Sequence, residues 1–232
     1  METSLVGVDG CQHGWIAAEY NIQLRRFTFT IHADITSLLQ SHSTVKRIAI
    51  DIPIGLTETF QPRRCDQIAR RFIGPRRSSV FPAPDRRILK LPTYAEATDF
   101  ARRHSGKGIT QQSFAILRKI DAVDTAMSPN LQSRVFEVHP EVCFREAAGR
   151  NLNHSKRRSL GFEERRAILQ QVFTGVNIPT RSEARACGAA PDDVLDAAIA
   201  AWTAMRHTQG CSNKVPVSAE LDARGLRMEI VY

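Results

Sequence analysis

The chain has 232 residues, of which 42% are hydrophobic and 24% are charged, a composition typical of a soluble globular protein. It is long enough to bury a core that needs neither disulfides nor a structural metal. No apolar stretch approaches the ~20 residues of a membrane span, and the N-terminus "METSLVGVDG" lacks a signal-peptide pattern. We therefore predict a cytoplasmic protein with no membrane partner.

The basic surplus is the most informative part of the composition. Lysine and arginine outnumber the acids by 32 to 24, which gives a net charge of +8. This balance suits a polyanionic partner such as nucleic acid, although surface solvation alone also explains it. The five cysteines lie far apart and form no C-x-x-C pair, which favours free thiols over a zinc site or a disulfide framework.

The N-terminal residues are predicted to form an antiparallel meander. The segments "SLVGVDG" and "GWIAAEY" lie at hairpin distance, and "LRRFTFTIH" alternates as a third strand. A short helix follows in "ADITSLLQS", with Asp34 as its N-cap. The fourth strand lies in "RIAIDIPIGL", and the intervening helix makes it a parallel crossover from the first strand.

Residues 53–133 are predicted to be a helical insertion within a single domain that spans residues 1–232. The pattern predicts helices at Arg63–Phe72, Tyr94–Arg103 and Gln112–Ala126 and no strand. A fifth strand then runs from Val135 to Val138. Further helices are predicted at Pro140–Ala148, Glu163–Phe173 and Pro191–His207, and "GLRMEIVY" is a final strand.

Several acids are placed where they can meet. Asp9 follows the first strand and Asp51 ends the fourth, so both emerge at one end of a parallel pair, where open α/β sheets bind ligands. Glu137 ends the next strand, and the first turn of the last helix brings Asp193 and Asp196 to the same place. Converging carboxylates repel one another unless a cation neutralises them. Oxygen ligands without Cys or His favour magnesium or manganese.

Each acid also has a simpler explanation. In that explanation, Asp9, which precedes a glycine, is a turn residue. Asp193 stabilises the N-terminus of its helix through the helix dipole, and Glu137 and Glu141 are surface residues. Asp51 and Asp196 are harder to dismiss, because each interrupts an apolar or small-residue run.

Two basic segments are candidates for phosphate binding. "QPRRCDQIARRFIGPRRSSVF" offers Arg64, Arg70, Arg76, Ser78 and Ser79, and "HSKRRSLGFEERR" offers Lys156. A solvated helix face explains the arginines about as well, and Asp66 is placed to pair with Arg70 at i, i+4. His139 could shuttle protons, but a structural hydrogen bond to backbone is the simpler role.

The ordered motifs resemble a known family. They are "VGVDGCQHGW", "IAIDIPIGL", "RRSSVFPAP", "FEVHPEVCF", "PDDVLDAAIAAW" and "GLRMEIVY". Together they resemble a family of predicted RNase H-like nucleases that is catalogued as a domain of unknown function. The resemblance covers nearly the whole chain. It implies an RNase H-like core, with a mixed five-stranded sheet ordered 3-2-1-4-5 and flanked by helices.

A more distant resemblance concerns the last helix. "DVLDAAIAA" resembles the D-x-x-D-A closing helix of RuvC-type Holliday-junction resolvases. This implies metal-ligand roles for Asp9, Asp193 and Asp196, with either Asp51 or Glu137 as the second acid. The nuclease label of the family itself rests on resemblance of fold.

Three functions follow from these features. The first is a metal-dependent nuclease in which acid-bound Mg or Mn supports phosphodiester hydrolysis, with Asp9, Asp51, Glu137, Asp193 and Asp196 as catalytic acids and all of these except Glu137 as metal ligands. The second is a small-molecule phosphotransferase of the actin-like superfamily. The length of the chain argues against this function, because such enzymes need two domains of this type. The third is a non-catalytic protein that binds nucleic acid or a partner with the same fold.

Overall fold

The computed structural model describes residues 4–156 and 158–232. Its main sheet has five strands in the order β3-β2-β1-β4-β5. They are β1 (Ser4–Cys11), β2 (Gly14–Asn21), β3 (Arg26–His32), β4 (Ile48–Ile50) and β5 (Val135–Glu137). The first three strands form the antiparallel meander, and β4 pairs in parallel with both β1 and β5. The predicted mixed sheet and its strand order are therefore confirmed.

Helices cover both faces of this sheet. They are α1 (Ile35–Ser41), α2 (Arg64–Phe72), α3 (Tyr94–Ser105), α4 (Gln111–Ala126), α5 (Pro140–Ala148), α6 (Ser159–Val172), α7 (Arg181–Ala186) and α8 (Pro191–Thr208). One apolar cluster joins alternate strand residues to α5, α6 and α8, and a second joins the intervening ones to α1 and α4. Strand side chains point alternately to the two faces, so the pleat decides which cluster each residue enters.

Helix α8 lies unusually close to the central strand. A Cβ built on Gly7 would come within 2.0 Å of the Ala197 carbonyl oxygen and 2.1 Å of the Ala201 nitrogen. Only glycine therefore fits at this point of β1, and the small residues of α8 face it. This close approach brings the first turns of α8 next to the end of β1.

The segment between β4 and β5 is helical, as predicted. It contains α2, α3 and α4 and short 3-10 turns at Gly74–Ser79, Arg86–Ile88 and Leu131–Ser133. Gly55 has φ +77, a conformation that favours glycine, where the chain leaves the sheet. Helix α1 begins as predicted, since the Asp34 side chain accepts from the Ser37 amide at 2.8 Å.

Five local predictions were incomplete or wrong. Strand β1 continues to Cys11, so Asp9 lies within the strand opposite Ile16 and is not a turn residue. Helix α7 and strand β6 (Lys214–Leu221) were not predicted. Strand β6 pairs antiparallel with the predicted final strand, β7 (Arg227–Val231), in a second sheet. Helix α6 begins at Ser159, before the predicted Glu163. Val138 makes only an isolated bridge to Val231.

No helix in the described part of the chain is both long enough and apolar enough to cross a lipid bilayer.

A carboxylate-lined cavity as candidate metal centre

A cavity of about 600 Å³ opens at the carboxyl ends of the parallel strands. Most of the residues that the sequence singled out line it, although they come from distant parts of the chain. Those in the cavity wall are Asp9, Asp51, Arg76, Ser78, Ser79, Glu137, Lys156 and Asp196. Asp193, Arg64 and Arg70 are not among its lining residues.

The pleat of the sheet explains why Asp9 and Asp51 meet. Leu5 and Ala49 belong to the apolar cluster on the α8 side. Asp9 follows Leu5, and Asp51 follows Ala49, by an even number of residues. Both acids therefore lie on the α8 face. The Asp51 amide donates to the Val8 carbonyl at 2.9 Å, which extends the parallel pairing to Asp51 itself.

Asp196 completes what we call the acid cluster: Asp9, Asp51 and Asp196. Asp196 is buried, with 1% of its surface exposed, and Asp9 is buried as well. Burial and the neighbouring charges of Asp51 and Asp196 raise the pKa of Asp9 well above its usual value. Burial also raises the pKa of Asp51 to about 6, with Asp196 adding to the rise and His139 opposing it. These carboxylates repel one another at neutral pH.

Lys156 supplies positive charge to this cluster. The Lys156 ammonium donates to Asp196 Oδ2 at 2.6 Å and lies 3.9 Å from an Asp192 oxygen. The other oxygen, Asp196 Oδ1, is buried and has no hydrogen-bond partner within the described residues. Asp193 lies outside the cavity wall, where burial and Asp192 raise its pKa to about 7.

Glu137 has a different environment from the acid cluster. Ile50 and Val135 belong to the apolar cluster on the α1 and α4 side. Glu137 lies two residues after Val135, so its side chain starts on that same face of the sheet. Arg63 donates to both Glu137 oxygens at 2.7 Å, and the Ile54 amide donates to Oε2 at 2.7 Å. The same guanidinium donates to Asp66 at 2.6 Å. We call Arg63, Asp66 and Glu137 the arginine cluster.

Charge in the arginine cluster is matched within the protein. Burial opposes the charge of Arg63, but Asp66 and Glu137 raise its pKa well above its usual value. Burial raises the pKa of Glu137 to about 7 against the opposing effect of Arg63. The two short hydrogen bonds from one guanidinium are those of an ionised carboxylate, so we treat Glu137 as charged. Its oxygens are thus already engaged by protein groups.

The arginine cluster corrects one prediction. Asp66 was expected to pair with Arg70 at i, i+4, but it pairs with Arg63 at i, i−3 because it faces the interior. Arg70 donates instead to the Val80 carbonyl. Arg64 is exposed on α2 and lies outside the cavity wall. Of the two adjacent arginines Arg63 and Arg64, only Arg63 lines the cavity.

The loop after α2 forms the polar wall of the cavity. Arg76, Ser78 and Ser79 line it, and Arg76 Nε donates to the Leu152 carbonyl at 3.3 Å. His139 Nε2 donates to the Ser79 carbonyl at 3.2 Å, which confirms the structural hydrogen bond expected for this histidine. Its Nδ1 is buried without a partner in the described part of the chain.

Two further cavity residues were missed as site residues. Glu141, treated as a surface residue, is buried in the first turn of α5 and lines the cavity. Arg165 donates to its Oε1, while Oε2 has no partner among the described residues. Proline at the first position of α5, three residues after the end of β5, was a usable signal, because it starts the helix near the carboxyl end of the sheet. Lys119, on α4, also lines the cavity and donates to the Cys11 and Gly14 carbonyls.

The donor chemistry of the acid cluster fits a hard divalent cation. Its ligand atoms are carboxylate oxygens, they repel one another, and Asp196 Oδ1 is unpartnered. In residues 4–156 and 158–232, no three acid, histidine or cysteine side chains are already arranged to hold a metal ion. The Lys156 ammonium bonded to Asp196 occupies the position of a counter-cation, so a metal would have to share Asp196 with it or displace it.

These features define a class of protein: a mixed α/β domain whose sheet end carries a cavity lined with carboxylates and basic residues. The chain belongs to the family described as "Protein of unknown function (DUF429)", which it matches over residues 7–221. Neither the curated proteins nor the solved structures include a match to this chain.

Proposed function

We propose that this protein is an RNase H-like, metal-dependent nuclease that hydrolyses phosphodiester bonds of nucleic acid. The observation that carries the proposal is the convergence of Asp9, Asp51 and Asp196, from two parallel strands and the closing helix, in one cavity. Burial and neighbouring carboxylates raise the pKa of Asp9 and of Asp51, and perturbed carboxylates in a cavity are typical of functional sites. The position at the carboxyl ends of the strands is that of ligand sites in open α/β sheets.

The acids of the cluster would hold Mg or Mn. When bound there, the metal would polarise a phosphoryl oxygen and lower the pKa of a water molecule. Asp196 has Oδ1 free to act as a ligand. Asp51 and Asp9 would add carboxylate oxygens from the same face of the sheet, although Asp9 Oδ1 also accepts from the Gly10 amide at 2.7 Å. Glu137 is better suited to a positioning role, because Arg63 and the Ile54 amide engage both of its oxygens.

Basic and hydroxyl groups would hold the substrate phosphate. Arg76, Ser78 and Ser79 line the same cavity as the acids and offer the donors that phosphate oxygens accept. The net charge of +8 would attract a polyanion to the protein at long range. Such a nuclease would act in the cytoplasm.

The test is cleavage by single-residue variants of the acid cluster. We expect Asp9→Asn and Asp51→Asn each to reduce Mg²⁺- or Mn²⁺-dependent cleavage by on the order of a thousandfold, since each removes a ligand charge. The substrates are labelled single-stranded, duplex, hybrid and branched oligonucleotides. Asp99→Asn, on the exposed face of α3, is the matched control and should cleave as the wild type does. Unchanged cleavage in both cluster variants would refute the assignment.

A further inference from the structure

Two large apolar side chains remain exposed at the cavity that holds the acid cluster. Phe81 has 47% of its surface exposed and Ile116 has 36%, and both line the cavity. Phe81 makes no aromatic or cation–π contact in the described part of the chain. Exposed apolar surface at the edge of a polar site is typical of a ligand-binding surface.

The ring of Phe81 is presented by a fixed piece of chain. On one side, Val80 is buried and its carbonyl accepts from Arg70. On the other side, the Ala83 amide donates to Asp66 Oδ2 at 2.9 Å, and Asp66 belongs to the arginine cluster. Phe81 is therefore exposed between two anchored neighbours, which lowers the entropy cost of binding against it.

Ile116 is also held in place. It shares one face of α4 with the other cavity residues of that helix, Gln112, Ser113 and Lys119, at helical spacing. The Lys119 ammonium fixes this face to the β1–β2 hairpin through the Cys11 and Gly14 carbonyls. The apolar rim thus consists of one residue from the loop and one from α4.

Phosphate-binding groups lie next to this rim. Arg76, Ser78 and Ser79 precede Phe81 in the same loop and line the same cavity. Gln112 and Ser113 add polar groups beside Ile116. A planar apolar group joined to an anion matches this arrangement, and a nucleotide is such a ligand.

The size of the cavity favours an unpaired nucleotide over a duplex. About 600 Å³ lies within the range of sites that enclose a single small ligand. A base within a duplex is stacked on both faces and has no face left for Phe81, so a paired nucleotide would have to leave the helix first. A single strand offers free base faces without that penalty.

From these contacts we propose that Phe81 and Ile116 bind an unpaired base of a single-stranded nucleic acid, so that the adjoining phosphate reaches Arg76, Ser78 and Ser79 beside the acid cluster. This inference rests on the proposed nuclease function for its substrate class. It adds that single strands, and strand ends or loops without base pairs, are the form in which the substrate enters.

The first experiment measures binding without cleavage. Fluorescence anisotropy with a short labelled oligodeoxynucleotide and its RNA counterpart, in Ca²⁺ in place of Mg²⁺, gives the affinity for single strands and for the matching duplexes. We expect Phe81→Ala to weaken single-strand binding by on the order of tenfold, while Phe81→Tyr retains it. Val217→Ala, which truncates an apolar residue of β6 that is 87% exposed, is the control and should bind as the wild type does. Equal losses for duplex and single strand would overturn the proposal.

The second experiment reports stacking directly. Phe81→Trp places an exposed indole at the rim, whereas the native Trp15 and Trp202 are buried. We expect single strands to quench the fluorescence of this variant and to leave that of the wild type unchanged. Quenching by an apolar peptide but by neither oligonucleotide would assign the rim to a protein partner and overturn the proposal.

Base binding at Phe81 and strand cleavage at the acid cluster can be lost independently, so the two proposals are tested separately. Quenching of Phe81→Trp by single strands in a protein that never cleaves them would support the base site and count against the nuclease. Cleavage that depends on Asp9 and Asp51, without quenching and without an effect of Phe81→Ala, would support the nuclease and refute the base site.

Discussion

Two groups of carboxylates lie at the same end of the sheet, but their charges are balanced differently. In the arginine cluster, one buried guanidinium donates to both Asp66 and Glu137 at 2.6 to 2.7 Å. In the acid cluster, the Lys156 ammonium donates to one oxygen of Asp196, and the other, Oδ1, has no partner among the described residues. The first arrangement is complete without a ligand, whereas the second has coordination capacity to spare. Burial of an acid alone therefore does not indicate a catalytic role, and the way its charge is balanced is the more informative feature.

Breaking the arginine cluster should give the largest effect on stability. Arg63→Ala leaves Asp66 and Glu137 buried without their partner, and we expect the free energy of unfolding to fall by about 3 to 5 kcal/mol. Urea unfolding followed by circular dichroism measures it. The neighbouring Arg64→Ala removes the same side chain from an exposed position and should change stability by less than about 0.5 kcal/mol. Similar losses in the two variants would contradict the contrast drawn between these arginines.

Neutralising one member of the acid cluster should increase the free energy of unfolding, whereas breaking the arginine cluster should decrease it. The pKa of Asp51 is raised from 3.8 to about 6 by burial and by Asp196, with His139 opposing. The folded state therefore holds a proton that the unfolded state has released, and the wild type loses stability as pH rises from about 4 to about 6. In EDTA at pH 8, we expect Asp51→Asn to be more stable than the wild type by up to about 3 kcal/mol.

The same pH dependence provides the check on this prediction. The advantage of Asp51→Asn should shrink as pH falls and should vanish below about pH 4, where Asp51 is protonated in both states. Thermal unfolding across this range measures it. Asp99→Asn, an exposed acid paired with Arg103, should show no such trend. A constant difference between Asp51→Asn and the wild type at all pH values would argue against repulsion as its cause.

The smallest effect is expected at the lysine. Lys156→Met removes the counter-charge of Asp196, and without metal we expect the free energy of unfolding to drop by about 1 kcal/mol at pH 7, since the ammonium is partly exposed. Manganese should then stabilise this variant more than it stabilises the wild type, because the ion no longer competes with an ammonium. Lys156→Arg keeps the charge and should respond as the wild type does. Thermal unfolding with and without manganese measures both, and identical responses in Lys156→Met and the wild type would exclude competition at this site.

Sequence periodicity predicted the strands and the ends at which Asp9 and Asp51 lie, and the family resemblance supplied the strand order of the sheet. In β1 and β4, Asp9 and Asp51 alternate in phase with residues that face α8. The helical spacing of α8, in contrast, predicts Asp196 on or beside the face opposite the apolar stripe, and this prediction was wrong, because Asp196 is buried with 1% of its surface exposed. The same alternation places Glu137 out of phase with Asp51, which was a usable signal. These are short-range regularities that a chain retains whatever its long-range contacts.

The partners of these acids could not be predicted from periodicity. Arg63 and Arg64 are adjacent, and only the path of the loop before α2 decides which of them turns inward. Lys156 comes from a segment without regular secondary structure between α5 and α6, so no spacing rule connects it to Asp196. Strand β6 was missed because Pro216 interrupts it and its Val217 and Leu221 are exposed, which weakens the pattern of a half-buried strand.

The close packing of α8 on Gly7 has a consequence for biosynthesis. Asp9 lies in β1 and Asp196 in α8, so the ribosome makes Asp9 long before it makes Asp196. Until α8 has emerged and closed over β1, a nascent chain has Asp9 and Asp51 but lacks both Asp196 and the helix that covers that face. We expect any metal binding or activity of the acid cluster to appear only after α8 has packed on β1.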